Sequence, residues 1–123
     1  MSNKITISDS DKELVLEIDF IDNLTSKNII EHLPIKSKVN LWGEEIYFDT
    51  GIEASCQNAT LDVNIGDLAY WPQGQCLCVF FGKTPASSND KPVPASEVVV
   101  IGKVNKGIEL LKNVKSGSMI KVE

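Results

Sequence analysis

Few residues in this 123-residue chain have the type and spacing to do chemistry. The acidic pair Glu44–Glu45 is the one place where two carboxyl groups adjoin. Neighbours on a strand point to opposite faces, so the pair is not an acid–base couple by itself. It reads as solvated unless one carboxyl is drawn into a site. Cys56, Cys76 and Cys78 are the candidate nucleophiles or metal ligands. Cys76 and Cys78 are two apart, which on a strand puts both thiols on one face. A zinc or redox centre needs further partners, and His32 is the only histidine. The thiols therefore read as small packing residues, and no metal or cofactor is expected. His32 falls in the last turn of a helical segment, where an imidazole favours the exposed carbonyls more often than it catalyses.

The richer signal is aromatic. Trp71 and Tyr70 lie just before a Pro72–Gln73–Gly74 turn, and Phe80 and Phe81 close the segment that follows it. Trp42 and Tyr47 bracket the acidic pair. Most aromatics in a small β-domain pack against its core. The alternative is a groove at the mouth of a barrel, lined by some of them. The candidate ligand-binding residues are accordingly Trp42, Glu45, Tyr47, Trp71, Phe80 and Phe81, where the 42–48 and 70–81 segments meet. No catalytic residue is assigned. The expected partner is an unidentified peptide, protein or small molecule.

The elements that must position these residues are mostly strands. Lys4–Ile7 is a short strand, followed by a polar turn. Leu14, Leu16, Ile18 and Phe20 alternate with Val15, Glu17 and Asp19, which predicts a half-buried strand and an N-terminal hairpin. Asp22 or Asn23 caps a helix whose inner face carries Leu24, Ile29, Ile30 and Leu33, and Pro34 stops it. Residues 35–48 read as one extended piece with a bulge near Gly43. Ile52–Cys56 and Leu61–Ile65 read as two further strands. Gly74 is expected to supply positive φ in its turn. Gln75–Phe81 is apolar on both faces and reads as a strand buried on both sides. Ala86–Pro94 reads as a mobile surface loop. Val98–Val104 is β-branched, Gly107–Lys112 is a short helix, and Met119–Val122 is a last strand. The count of about eight strands at regular turn spacing predicts a closed antiparallel barrel with one or two short capping helices.

Composition bounds what such a domain does. The length suits one domain, residues 1–123, with a real core. No apolar run approaches the roughly 20 residues that span a bilayer, so no membrane association is expected. Met1–Ile5 lacks the layout of a secretory signal. With an odd number of cysteines, this predicts reduced thiols and a cytoplasmic location. The net charge of −5 argues against a nucleic-acid partner. All 12 basic residues are lysines.

Three strings carry a resemblance. Gly102–Lys103–Val104 followed by the Gly107-led helix is similar to the closing segment of cyclophilins. Trp-Gly-Glu-Glu-Ile-Tyr-Phe at 42–48, and the segment from Tyr70–Trp71–Pro72 to Phe80–Phe81–Gly82–Lys83–Thr84–Pro85, resemble the small prokaryotic cyclophilin-like proteins. The likeness covers nearly the whole chain. It implies an eight-stranded antiparallel β-barrel with a helix over each open end, in agreement with the independent count of about eight strands. It does not imply an activity, since fold alone does not give function. Cyclophilins are prolyl isomerases whose site depends on an arginine in a Phe-His-Arg motif and on a Gln-Gly-Gly-Asp-Phe segment. This chain has neither string and no arginine. A non-catalytic peptide or small-ligand binding module is therefore expected. The alternative is an accessory or inhibitory subunit of an enzyme complex, and a weak isomerase is a third reading.

Overall fold

Alternating apolar residues build this molecule around the inside of a curled sheet. The computed structural model describes residues 3–123. Nine strands form one antiparallel sheet: β1 (Asn3–Ser8), β2 (Glu13–Phe20), β3 (Ile35–Lys38), β4 (Asn40–Leu41), β5 (Glu45–Asp49), β6 (Asp67–Trp71), β7 (Cys76–Phe80), β8 (Val99–Lys106) and β9 (Met119–Val122). Helix α1 (Leu24–Ile30) and a 3-10 helix (Ile108–Asn113) complete the regular structure. Neither is long and apolar enough to cross a membrane.

The strand order is β3-β9-β1-β2-β8-β6-β7-β5-β4. Its two outermost strands are consecutive in the chain, with only Val39 between them. β3 pairs with β9 and β4 pairs with β5. The Val39 N–H donates to the Ser118 carbonyl at 2.9 Å, and its own carbonyl accepts from Gly117 at 2.7 Å. One segment, 35–41, thus bonds both ends of the sheet and nearly closes it into a barrel. Register shifts at Glu17/Ile18 and Leu68/Ala69 add curvature where β8 meets its neighbours. Ile5, Ile7, Leu16, Ile18, Ile46, Phe48, Leu68, Tyr70, Leu77, Val79 and Ile101 fill the interior.

Several sequence expectations need correction. The 35–48 piece is not one bulged strand. Gly43, at φ +61°, sits in the tight turn of a β4–β5 hairpin. A Cβ there would meet Pro85, Lys83 and Thr84 at 2.8–2.9 Å, so glycine is required both by conformation and by close approach. Ile52–Cys56 and Leu61–Ile65 are not strands. Ile52 and Ala54 offer their backbone groups to the Tyr70 hydroxyl instead of a ladder. The 61–65 segment is flanked by an isolated Thr60–Val98 bridge on one side and by Gly66, which bonds to Phe80 and Val104, on the other. Of its alternating residues only Val63 is buried; Leu61 and Ile65 are exposed. Two expected strands are absent and the 35–48 piece contributes three, and the sheet has nine strands where about eight are expected.

Helix α1 is capped as expected by Asn23, whose side chain accepts from the Ser26 N–H at 2.8 Å. Its buried face differs from the expected one. Thr25, Ser26 and Ile29 face inward, while Leu24 and Ile30 are exposed. The hydroxyls of Thr25 and Ser26 dock the helix by donating to the carbonyls of Ser55 and Ile21, each at 2.5 Å.

Candidate functional site

Strand β7 separates two apolar regions. Leu77 and Val79 point into the barrel, while Cys78 and Phe80 point outward. The outward face continues through Ala69 and Trp71 on β6 and Glu45 and Tyr47 on β5, because the register pairs Ala69 and Tyr47 with Cys78 and pairs Glu45 with Phe80. Val63 and Val98 cover part of this face, forming a second apolar cluster with Ala69, Cys78 and Phe80. Where the cover stops, a cleft of about 170 Å³ remains, lined by Trp42, Glu45, Tyr47, Trp71 and Ala95.

Four of the six candidate residues therefore lie around one cleft. The other two do not line it. Phe80 is fully buried in the cluster beneath it, and Phe81, 8% exposed, belongs to the barrel interior. Adjacent strand residues point to opposite faces, so Phe80 and Phe81 could not both have faced the cleft.

The acidic pair is split as strand geometry requires. Glu44 is on the far side: its carboxyl lies over Gly82 and accepts from the Lys83 N–H at 3.3 Å. Glu45 is 6% exposed and is the deepest of the cleft residues. Its Oε1 is buried without a hydrogen-bond partner. Among the described residues Glu45 makes no ion pair. Burial pushes its carboxyl up from 4.5 to about 7, against a smaller downward pull from the Cys78 thiol.

The rings around it are held by the backbone and by loops. Trp42 heads the β4–β5 turn, where its N–H donates to the Glu45 carbonyl at 2.9 Å. That turn docks on the irregular segment that follows β7, with Glu44 N–H donating to the Lys83 carbonyl at 2.7 Å. Trp71 is fixed twice. Its Nε1–H donates to Ser96 Oγ at 2.5 Å, and the Ser96 hydroxyl donates to Gln73 Oε1 at 3.1 Å. Its ring also packs against Gly74, where an added Cβ would sit 2.5 Å from the indole. Gly74 is thus needed for space. The positive φ expected of it belongs to Gln75, at +53°.

Ala95, Ser96 and Gln73 are site residues that sequence reasoning missed, since nothing in their type or spacing marks them. Ala95 and Ser96 join the cleft because the 84–94 loop before them is tied down, and Gln73 comes from the β6–β7 turn. Thr84 is buried and its hydroxyl donates to the Val93 carbonyl at 2.5 Å, while Ser87 donates to Lys91 at 2.7 Å.

The thiols do not form a reactive centre. All three cysteines are unpaired. Burial raises Cys78 well above the ordinary thiol range and pushes Cys76 up to about 11. Cys56 is exposed, and desolvation raises it too. No group of three or more His, Cys, Asp or Glu among the described residues is placed to hold a metal. His32 is exposed just beyond α1, its Nδ1 donating to the Asn28 carbonyl at 2.7 Å, which is the helix-end role expected of it. A larger recess, about 380 Å³, lies beside Lys4, Lys36 and Lys121, all on the surface or near it. It has no buried polar group to organise a ligand.

A protein-family model described as cyclophilin-like matches residues 3–123. Among solved structures, the chain is similar to a hypothetical protein from Archaeoglobus fulgidus, known from its solution structure. The two are 40% identical over 99% of this chain and 94% of that one, with a TM-score of 0.74. No curated protein matches the chain.

Proposed function

The chain belongs to the cyclophilin-like family, and from that premise we propose that it is a non-catalytic module that binds a peptide or small ligand in the Trp42–Glu45–Tyr47–Trp71 cleft. The observation that carries this reading is Glu45. A buried carboxyl with an unpartnered oxygen weakens the fold, because each such group costs about 1–3 kcal/mol or more. Such groups concentrate at functional sites. Here the group lies in a recess with three aromatic rings, and aromatic surface with a few fixed polar groups is what ligand sites are made of. At about 170 Å³ the cleft is smaller than the roughly 300–1,000 Å³ of drug-sized pockets, so it suits a side chain or head group.

The residues 1–123 act on this reading as one cyclophilin-like domain. A cytoplasmic location fits three cysteines that are all unpaired. Prolyl isomerisation does not fit. Lowering a barrier of about 18–20 kcal/mol calls for fixed donors on the twisted amide, and the chain has no guanidinium to supply them. Glu45 is an acceptor when charged. The accessory-subunit reading uses the same surface and would show as a protein, rather than a small ligand, covering the cleft.

A titration of 15N-labelled protein with a peptide and metabolite library tests the proposal. The indole N–H signals of Trp42 and Trp71 are expected to move first. Shifts confined to the β1–β2 hairpin would overturn it. An Xaa-Pro peptide assay is expected to show no acceleration above background.

A further inference from the structure

Resting on the binding role of this cleft, we propose that it selects a small protonated amine, an alkylammonium head carried on a flexible chain. Three observations point to that chemistry. Glu45 lines the cleft, is nine-tenths buried and makes no ion pair among the described residues, so no positive charge of the protein neutralises it. One of its oxygens lacks any donor. The walls are Trp42, Tyr47 and Trp71, and the negative faces of such rings attract cations, tryptophan most strongly. An ammonium brings the charge that no ion pair supplies and an N–H donor for the unpartnered oxygen. An anion would meet the carboxyl without compensation. A neutral alcohol would offer one donor and no charge.

The size of the cleft agrees, since a group of a few heavy atoms fills about 170 Å³ and a fused-ring ligand exceeds it. Binding is also coupled to a proton. Cys78 and Cys76 on β7 and the Tyr47 phenol on β5 are the other titratable groups facing Glu45, and both thiols stay protonated at neutral pH because burial raises them. Asp49, further along β5, is the register partner of Cys76. Trp42, Trp71 and Ala95 carry no titratable group. Glu45 is therefore the group that changes charge near pH 7. An arriving ammonium stabilises its ionised form, so a proton leaves Glu45 for solvent and affinity rises as pH rises through about 7.

The experiment compares n-butylammonium, n-butanol and butyrate at millimolar concentration, by indole and Glu45 side-chain NMR on the intact protein. A blocked lysine peptide is added as a further arm, to separate a protein side chain from a free amine as the natural source. The expected result is that n-butylammonium shifts Trp42 and Trp71 and binds at least about tenfold more tightly than n-butanol. E45Q is expected to abolish that preference while leaving backbone spectra intact. Equal or tighter binding of n-butanol or butyrate at the same indoles would overturn the amine selectivity and leave the binding role standing. No response of either indole to any probe would overturn both. The comparison among probes uses the wild-type protein, so it decides the matter even if E45Q misfolds.

Discussion

Tyr70 and Glu45 lie one strand apart on opposite faces of the same sheet, and both are buried polar side chains. Inside the barrel, Tyr70 is 1% exposed and fully served. Its hydroxyl donates to the Ile52 carbonyl at 2.5 Å and accepts from the Ala54 N–H at 3.3 Å. Outside, Glu45 is 6% exposed, one oxygen has no partner, and its carboxyl is pushed up to about 7. The chain recruits a whole coil segment, 52–54, to satisfy one phenol. For the carboxyl across β7 it recruits no more than the Cys78 thiol, and Oε1 is left without a partner. The interior is completed by the protein itself, whereas the outer cleft is left incomplete in a way that a ligand would finish.

Truncations on the two faces sharpen that contrast most. Phe48→Ala removes a fully buried ring from the interior and is expected to cost about 3–5 kcal/mol. Trp42→Ala removes a half-buried ring from the cleft rim and is expected to cost about 1 kcal/mol or less. Urea unfolding of both variants checks this. Similar losses would mean that the rim is as structural as the core.

Polar substitutions on the two faces should have opposite signs. The folded Glu45 binds its proton more tightly than the unfolded chain does. Its contribution to stability therefore falls as pH rises from 4.5 to about 7 and levels off above that. The loss is no more than roughly 3 kcal/mol. E45Q removes the charge and should be more stable than wild type above pH 7, with the advantage gone near pH 4.5. Tyr70→Phe strands the Ile52 carbonyl and the Ala54 N–H, and should cost about 1–3 kcal/mol at every pH in that window. Unfolding curves at acid and alkaline pH distinguish the two. A destabilised E45Q at high pH would break the comparison.

The smallest expected effects concern the thiols. Cys76 and Cys78 sit on the outer face near Glu45, but both are buried and held protonated. Alkylation of the native protein should run Cys56 first, then Cys76, with Cys78 slowest. Mass spectrometry gives the order. Fast labelling of Cys78 would show the outer cluster to be open.

Much of the barrel was legible in the sequence because β1, β2, β8 and β9 pair through clean alternation or β-branched runs. The same period misled at 61–65, since a segment laid over the outer face alternates as a strand does while donating little to a ladder. Gly43 was legible as a special position. Its role as a hairpin turn was not, because both a bulge and a turn use the same residue type. The cleft was legible in part. Trp42, Glu45, Tyr47 and Trp71 share it, yet β7 is buried on both sides, so its apolar run gave no parity by which to place Phe80 and Phe81. Ala95 and Ser96 reach the site from a loop, where no periodicity exists to read.

The most direct test of the contrast is the titration of Glu45 itself in the unliganded protein. Carboxyl 13C NMR across the acid-to-neutral range reads its protonation without a mutation or a ligand. A midpoint near 7 is expected, far above that of exposed carboxylates in the same spectrum. A midpoint at the ordinary value of 4.5 would mean that solvent or a donor already serves the carboxyl, and that the outer cleft is as complete as the interior.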